Sequence, residues 1–287
     1  SQVGIEIAVL VSSYQRPWHL SRVLASIEAQ QSVAGKIEVV VTDDGSADNT
    51  PKIVQDFADR VDFPVQFTTH PHDGFQLARC RNEGVHFSSA PYLLFLDGDC
   101  LIPPDHIRQH LDARRRNTAM AGYCCLLDEQ TTRAMTLDGV YAGEFCTAAS
   151  RDERRKLARM HRKAQFYNFV RHSQKPKLFG GNIGISRGDY ERVNGYDENF
   201  RGWGCEDDDL RLRLRSVGVG IRSILAKTCT YHLWHARDKT TPTRWSDGEN
   251  VAYLRRMHRS AWCDHGLTDR TDTDTQVRRW NVRPLAA

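Results

Sequence analysis

Continuous apolar runs alternate with helical patterns over the first hundred residues. Runs rich in β-branched and other apolar residues occur at 5–11, 37–42, 65–69 and 92–96. Such runs are typical of strands buried on both faces of a parallel sheet. Apolar residues recur at helical spacing at 18–27, 50–58 and 77–87. Thr50 is predicted to cap the second of these helices, with Pro51 as its first helical residue. The repeated order of strand and helix predicts an α/β fold.

The rest of the chain is less periodic, but it still predicts several elements. Helices are expected at 105–116, within 151–177, at 206–217 and at 251–259. Strands or strand-like segments are expected at 119–126, 221–225 and 231–235. Gly218 is a typical helix terminator, since glycine adopts the left-handed conformation that follows many helices. The chain after Asp264 is expected to be loosely held.

Composition and charge narrow the class of protein. Of the 287 residues, 40% are hydrophobic and 26% are charged, which is typical of a soluble globular protein. A net charge of +4 requires neither nucleic acid nor an anionic membrane as partner, and we expect no nucleic acid. The apolar runs are far shorter than the ~20 residues that cross a bilayer, and no signal peptide is recognisable. The eight cysteines lack metal or disulfide spacing, so reduced thiols and a cytoplasmic location are expected.

The segment 151–177 is strongly basic. It contains ten Lys and Arg residues and two acidic ones, a local net charge of +8. Its apolar positions are spaced as in an amphipathic helix: Leu157, Met160, Ala164 and Tyr167. A solvated charged face is the simpler interpretation. The alternative is contact with a phosphate-bearing acceptor or with the inner face of a membrane.

Polar clusters follow three of the predicted strands. They are Ser12-Ser13-Tyr14, Asp43-Asp44 and Asp97-Gly98-Asp99. In open α/β sheets, ligands bind beyond the carboxyl ends of the strands, so these clusters predict one shared site.

Two sets of residues suggest a divalent cation. Asp97 and Asp99 offer hard oxygen ligands, although a polar turn uses the same residues. His232 and His235 offer nitrogen donors, which favour manganese or zinc over calcium when carboxylates are also present. Neither pair is specific alone, and the combination is much stronger.

The row of acids from Glu206 to Asp209 opens a predicted helix. Helix capping and the macrodipole explain one or two acids there, but four adjacent like charges repel one another. Gly202-Trp203-Gly204 directly before them places an aromatic ring in a glycine-flanked loop. An acceptor site with a general base explains the combination better.

Several of these motifs, in this order, resemble family 2 glycosyltransferases with the GT-A fold. The segments concerned are 12–17 (SSYQRP), 43–50 (DDGSADNT), 78–84 (ARCRNEG) and 95–99 (FLDGD). From 179 to 209 the chain resembles the catalytic segment of β-1,4-galactosyltransferases and of chondroitin-polymerase-type enzymes, and 235–239 is similar to the metal-histidine stretch of the galactosyltransferases. The similarity covers roughly residues 5 to 240.

The resemblance implies a Rossmann-like nucleotide-diphospho-sugar transferase fold, with a mixed, mostly parallel central sheet flanked by helices. We expect one domain over 1–262, with a nucleotide-binding half at 1–100 and an acceptor-binding half at 101–262. Residues 263–287 are expected to be a C-terminal extension.

The resemblance also implies the donor site. Mn²⁺, with Mg²⁺ as the alternative, would be bound by Asp97, Asp99, His235 and His232, the last standing where the galactosyltransferases have methionine. Asp44, with Asp43 as the alternative, would accept a hydrogen bond from uracil, and Tyr14 and Arg16 would flank the nucleotide. The other expected donor-site residues are Ser13, Arg79, Arg81, Asp97, Gly98, Gly181 and Trp203.

The same resemblance implies the chemistry. Asp207 matches the catalytic base, Glu206 and Asp208 match acceptor-side residues, and Trp203 would lie against a sugar ring. Cys205 replaces a second glycine of the galactosyltransferases and is expected to reshape the acceptor side. The implied activity is inverting transfer of galactose or an N-acetylhexosamine from a UDP-sugar to a glycan or lipid-linked acceptor, in bacterial surface polysaccharide synthesis.

Two alternatives remain open from the residues. A sugar nucleotidyltransferase also combines an α/β sheet with an aspartate-bound cation, but it should carry a glycine-rich, basic phosphate loop after its first strand, and 12–17 is not one. A non-catalytic sugar-binding module could keep Trp203 and the metal ligands, but it would not need Asp207.

Overall fold

The computed structural model describes residues 4–236, 245–256, 259–268, 270 and 274–282. Its strands are β1 Ile7–Ser13, β2 Ile37–Asp43, β3 Val65–Thr69, β4 Tyr92–Asp97, β5 Cys100–Leu101, β6 Thr118–Ala121, β7 Cys124–Leu126, β8 Asn182–Ser186, β9 Gly220–Ser223, β10 Thr230–His232 and β11 Gln276–Trp280. Its α-helices are α1 Pro17–Glu28, α2 Thr50–Ala58, α3 Leu77–Phe87, α4 His106–Ala113, α5 Glu129–Ala134, α6 Leu137–Tyr141, α7 Phe145–Ala148, α8 Arg151–Phe169, α9 Arg187–Glu191, α10 Glu206–Ser216 and α11 Asn250–Leu254. A short 3-10 helix lies at Trp245–Asp247.

Most of the described strands form one mixed sheet in the order β11-β3-β2-β1-β4-β8-β6-β9. The pairs β1/β2, β1/β4, β2/β3 and β6/β9 are parallel, and the pairs β3/β11, β4/β8 and β6/β8 are antiparallel. A smaller sheet has the order β5-β10-β7. The predicted α/β fold with a mostly parallel sheet is confirmed.

The central strands are buried on both faces, as their continuous apolar runs predict. In β1, Ile7, Val9 and Val11 pack into the core that contains α1 and α2. The alternate residues Ala8 and Leu10 pack into the core that contains α3 and α10. Successive side chains of a strand point to opposite faces, so one apolar run supplies two cores. This layering fixes the carboxyl ends of β1, β2 and β4 side by side.

Two local predictions are wrong. The segment 119–126 is not one strand: β6 lies in the large sheet and β7 in the small one. At the break between them, the Gly122 amide donates to the Asn182 carbonyl at 2.8 Å, and a Cβ on Gly122 would fall on the Asn182 side chain. Thr50 is also not a cap. It is the first residue of α2, and its amide donates to the Asp48 side chain at 2.8 Å.

The chain after Asp264 is not loosely held where the structure describes it. Strand β11 pairs antiparallel with β3, from Gln276 opposite Thr69 to Trp280 opposite Val65. The Trp280 indole donates to Gln55 of α2 at 2.8 Å. These contacts continue the large sheet by one strand and cover the edge of β3.

Smaller differences concern the ends of elements. Helix α4 ends at Ala113 rather than at 116, and α11 ends at Leu254 rather than at 259. Helix α8, at Arg151–Phe169, lies within the predicted segment 151–177. All eight cysteines lie in the described part of the chain and are free thiols, as expected. Among the described residues, no helix combines the length and the apolar character that a membrane crossing requires.

Candidate active site

A cavity of about 780 Å³ lies at the carboxyl ends of the central strands. Its wall includes the ends of β1 and β4, the segment 177–182, the loop around Trp203, the start of α10 and the end of β10. Both expected halves of the chain therefore contribute to one cavity. Most predicted site residues line it: Ser13, Tyr14, Arg16, Asp44, Arg81, Asp97, Gly98, Asp99, Gly181, Trp203, Glu206, Asp207, Asp208, His232 and His235.

Asp99 is the centre of a compact donor set. Its carboxylate lies 3.3 Å from Nε2 of His235 and 3.7 Å from Nε2 of His232. One ligand atom from each of these residues lies within 4.8 Å of the other two. Asp99 and His232 meet because β5 and β10 pair antiparallel directly beyond β4. Residues far apart in the sequence are thus brought together by the small sheet.

The hydrogen bonds around the set suit metal binding. His235 Nδ1 donates to the Ala236 carbonyl at 2.9 Å, which leaves Nε2 directed toward Asp99 as a potential ligand. Although burial acts in the opposite direction, His235, His232 and Arg16 hold the pKa of Asp99 well below its ordinary value. A carboxylate and two imidazoles suit a divalent transition metal such as manganese or zinc. The segment 237–239, similar in sequence to the galactosyltransferases, lies outside the described residues.

The charge of the cavity also favours a cation. Among its described lining residues, six carboxylates accompany three Arg or Lys side chains. The carboxylates are Asp44, Asp97, Asp99, Glu206, Asp207 and Asp208, and the cations are Arg16, Arg81 and Lys177. A nucleoside diphosphate would meet net repulsion in such a cavity unless a divalent cation offset it.

Asp44 is oriented by buried neighbours. His70 Nε2 donates to one of its oxygens at 2.9 Å, and the backbone amide of Gln76 donates to the other at 3.0 Å. His70 Nδ1 donates to Glu83 at 3.2 Å, so the imidazole bridges two carboxylates. Despite burial, these hydrogen bonds raise the pKa of His70 to about 9. Tyr14, the expected neighbour of the nucleotide, stacks on His72 with ring centroids 4.4 Å apart.

Two predicted donor residues lie elsewhere. Asp43 is not among the lining residues, because its carboxylate accepts hydrogen bonds from Ser46 and Thr69 and so holds the turn after β2. Arg79 is not among them either, because it pairs with Glu83 one helical turn away and with Asp274. Of the two aspartates after β2, Asp44 lines the cavity and Asp43 does not, and the structure does not place the Arg79 side chain at the cavity.

Arg81 connects the two sides of the cavity. Its buried guanidinium lies 3.3 Å from Asp97, 3.3 Å from Glu206 and 3.0 Å from Asp207. A Cβ on Gly180 would fall on this guanidinium, so only glycine allows the backbone to approach so closely. Arg81 thus lines the cavity and also pairs with three of its carboxylates.

Asp207 is held in one orientation at the start of α10. One oxygen accepts from Tyr196 at 2.8 Å and from Arg81, and the other accepts from the Gly180 amide at 2.8 Å. Its neighbour Glu206 is buried, and burial together with the charge of Asp207 raises the pKa of Glu206 to about 7. The adjacent acids therefore occupy different surroundings.

Asp208 and Asp209, the other two acids of the row, also lie in different surroundings. Asp208 lines the cavity and pairs with Lys177 at 3.3 Å and Arg211 at 3.0 Å. Asp209 is fully buried and pairs with Arg213, Arg256 and Arg259, so it stabilises the fold rather than the cavity.

The loop before α10 places Trp203 and Cys205 at the cavity. The Trp203 side chain is 42% exposed, between glycines with φ of 76° and 88°. Cys205 has φ of 75°, in the left-handed region that glycine prefers, and it packs with Phe200, Val251 and Leu254. Cys205 thus adopts a backbone conformation that glycine prefers, and its side chain forms part of the cavity wall.

Several residues that hold the side chains of the site are not apparent from the sequence. Tyr196 and Gly180 hold Asp207, Lys177 pairs with Asp208, and His70 holds Asp44. Gly180 and Tyr196 lie within the segment 179–209 that carries the family resemblance, so the sequence motifs could have indicated them. Lys177 and His70 carried none, since each meets its partner only through the tertiary fold.

Comparison with known families identifies the chain. The model described as glycosyl transferase family 2 matches residues 8–193, well over half of the chain. The chain belongs to glycosyltransferase family 2. A model described as the N-terminal domain of galactosyltransferase matches residues 159–236. The family resemblance seen in the sequence is confirmed.

Named relatives of this family 2 chain are also glycosyltransferases. Validoxylamine A glucosyltransferase of Streptomyces hygroscopicus subsp. jinggangensis is 29% identical over 237 residues, covering 74% of this chain and 52% of that protein. Chondroitin synthase of Escherichia coli is 26% identical over 234 residues, covering 76% and 33%. β-1,4-Galactosyltransferase 4 of Rattus norvegicus is 37% identical over 93 residues, covering 32% and 26%. The chain thus spans about half the length of the first relative and less of the others. Family and relatives support the expected hexosyltransferase enzyme.

Solved structures confirm the GT-A fold of this family 2 chain. The mannosyltransferase PcManGT from Pyrobaculum calidifontis, in complex with GDP-Man and Mn²⁺, has a TM-score of 0.57 at 17% identity, covering 82% of this chain and 58% of that one. S. aureus TarS 1-349 in complex with UDP-GlcNAc has a TM-score of 0.54 at 15% identity, covering 82% and 60%. At these identities the likeness concerns the fold alone.

Proposed function

We propose that this chain catalyses inverting, metal-dependent transfer of a hexose or N-acetylhexosamine from a UDP-sugar to a hydroxyl of a glycan or lipid-linked acceptor. The observation that carries the proposal is one cavity that holds both a candidate metal set and an oriented candidate base. Asp99, His232 and His235 form the first, and Asp207 is the second. Bacterial surface polysaccharide synthesis is the proposed setting.

The proposed cation is Mn²⁺, with Mg²⁺ as the alternative. Asp99, His232 and His235 would hold it, with Asp97 beside them. A bound divalent cation supplies charge neutralisation for the departing nucleoside diphosphate. The proposed nucleotide site lies in residues 1–100, where Asp44 accepts a hydrogen bond from the uracil N–H.

The proposed base is Asp207, and the acceptor side lies in residues 101–262. Asp207 takes the proton of the acceptor hydroxyl while that oxygen bonds to the anomeric carbon. The bond from this carbon to the diphosphate oxygen breaks on the opposite face, so the configuration inverts. Tyr196 and the Gly180 amide keep the Asp207 carboxylate in place. Glu206 and Asp208 bind acceptor hydroxyls, and Trp203 offers a flat surface for a sugar ring.

The donor sugar is to be sought among a small panel. We propose UDP-galactose or a UDP-N-acetylhexosamine. UDP-glucose and GDP-mannose are included because the names of a relative and of a structural neighbour refer to glucosyl transfer and to GDP-Man. Thermal unfolding with each donor and Mn²⁺ ranks them, since a ligand at ~100 times its dissociation constant adds ~2.7 kcal/mol of stability.

Two variants test the proposal with the best donor. Asp207→Asn is expected to lower UDP release in the presence of acceptor by at least about a hundredfold while UDP binding is retained. Asp99→Ala is expected to abolish the Mn²⁺-dependent stabilisation by UDP. The exposed Asp62→Asn serves as the matched control and should change neither quantity.

Each of these predictions has an outcome that would contradict it. Unchanged turnover in Asp207→Asn would overturn the assignment of the base, and a sugar-binding module would then be the better description. Mn²⁺-dependent UDP binding retained in Asp99→Ala would overturn the metal site. Release of pyrophosphate from a sugar phosphate and UTP would point to a nucleotidyltransferase.

A further inference from the structure

The solvent-facing side of helix α8 carries an unusual pair of residue types. At 100° per residue, the positions opposite the packed side fall in one stripe. The stripe, here termed the α8 outer face, consists of Arg151, Arg155, Arg159, Arg162, Phe166 and Phe169. Leu157 and Ala164 on the opposite side are buried. Four arginines are thus followed by two phenylalanines on one exposed face.

The two phenylalanines are the informative part. Phe166 is 60% exposed and Phe169 is 85% exposed, and Val170 directly after them is 46% exposed. A solvated helix face accounts for the arginines but not for large apolar side chains in water. A purely polyanionic ligand likewise accounts for the arginines alone. A surface with anionic groups above an apolar layer accounts for both the arginines and the exposed apolar side chains.

We infer that the α8 outer face binds the surface of an anionic phospholipid bilayer, with the helix lying in the plane of the headgroups. Phe166, Phe169 and Val170 enter the boundary between headgroups and acyl chains, and the arginines contact lipid phosphates. Amphipathic helices with basic residues and aromatic anchors bind membranes in this manner. Each basic residue near an anionic surface contributes roughly fivefold in affinity.

The charge of the surrounding helix fits this occupant. The acids of α8 are confined to its first turn, at Asp152 and Glu153. Asp152 pairs with Arg155 at 3.6 Å, and Glu153 pairs with Lys156 at 3.4 Å on the packed side. No acid follows along the rest of the helix, so the end that carries the phenylalanines is uniformly basic or neutral.

The position of α8 links the surface to the cavity. Beyond the helix, the Gln174 carbonyl accepts a hydrogen bond from Arg211. Lys177 pairs with Asp208, and residues 177–182 line the cavity. A bilayer at α8 is therefore connected by a short, anchored segment to the proposed acceptor side. Membrane binding itself does not depend on the proposed transfer reaction and is tested without it.

The test uses the full chain and flotation with two kinds of vesicle. We expect binding to vesicles of phosphatidylcholine with phosphatidylglycerol, and at least tenfold weaker binding to phosphatidylcholine alone. Phe166→Ser with Phe169→Ser, and separately Arg159→Gln with Arg162→Gln, should each lower binding at least tenfold. Thermal unfolding should be unchanged in both variants, because the altered side chains are exposed.

Matched controls distinguish this surface from the rest of the molecule. Leu137→Ser with Trp262→Ser removes apolar residues that are 43% and 45% exposed elsewhere. Arg115→Gln with Arg116→Gln removes the same charge at another exposed site. Both controls should bind vesicles like the wild type. Equal losses in the controls, or no binding of the wild type to anionic vesicles, would overturn the inference.

Two other occupants give distinct results. If the face covers a second copy of the chain, light scattering will show a dimer that the phenylalanine variant dissociates. If it binds a polyanionic glycan, soluble heparin binding will fall in the arginine variant but not in the phenylalanine variant, with no flotation. Either result would replace the bilayer as the partner.

Discussion

The carboxylates of the cavity are held by different partners, and those partners set what each can do. Asp99 lies against two imidazoles, which suits a cation. Asp44 is held by a buried imidazole and a backbone amide, which suits reading of a nucleobase. Asp207 is fixed by Tyr196 and the Gly180 backbone amide, on the side of the cavity where we propose that the acceptor binds. Identical side chains thus lie in different surroundings, which fit the separate roles that we propose for them.

His70 is predicted to give the protein a pH-dependent stability. Its hydrogen bonds to Asp44 and Glu83, acting against burial, raise its pKa from 6.5 to about 9. A raised pKa means that this contribution is fully present below about pH 6.5 and is lost as the pH rises through about 9. His70→Gln should therefore be less stable than the wild type near pH 6, by at most about 3 kcal/mol.

Urea unfolding at about pH 6 and about pH 10 measures this difference. The gap between the wild type and His70→Gln should narrow at the higher pH. His86→Gln, at an exposed position of α3, is the control and should show no such narrowing. A gap that is the same at both pH values would mean that His70 is not protonated between its two acids.

Elements of the first hundred residues follow from the sequence within about two residues, because strands buried on both faces are continuous apolar runs. The helices between them have clear apolar spacing. Strand β8 was missed because Asn182 and Gly184 interrupt its apolar residues. Strand β11 was missed because two adjacent arginines give it the pattern of a surface loop. Most residues of the sequence motifs line one cavity, whereas Lys177 and His70 depend on pairings that only the fold creates.

Strand β11 is predicted to contribute substantially to stability. The half-buried Trp280 packs against the core of β3 and α2 and donates to Gln55. Trp280→Ala should therefore lower the free energy of unfolding by about 1–3 kcal/mol, less than for a fully buried tryptophan. Trp262→Ala, at a residue that is 45% exposed, should cost at most about 0.5 kcal/mol. Equal costs in the two variants, measured by urea unfolding, would show that β11 adds little to the sheet.

Charge is divided unequally over the whole molecule. The segment 151–177 carries a net charge of +8, whereas the whole chain carries +4. The remainder of the chain is therefore net negative. Most of this positive charge lies on the exposed helix α8, whereas carboxylates predominate in the cavity. Exposed charges are screened by salt, and charges enclosed in a cavity are screened much less.

The two proposed interactions should therefore respond differently to ionic strength. Raising NaCl from about 0.05 M to about 0.5 M shortens the screening length several-fold and should weaken binding to anionic vesicles at least tenfold. The KM for the nucleotide sugar, measured with Mn²⁺ and a soluble acceptor, should change less than about threefold. Potassium glutamate in place of NaCl controls for effects of chloride. Parallel weakening of both quantities would show that donor binding also depends on exposed charge, and the enclosed carboxylates and their cation would then not dominate donor recognition.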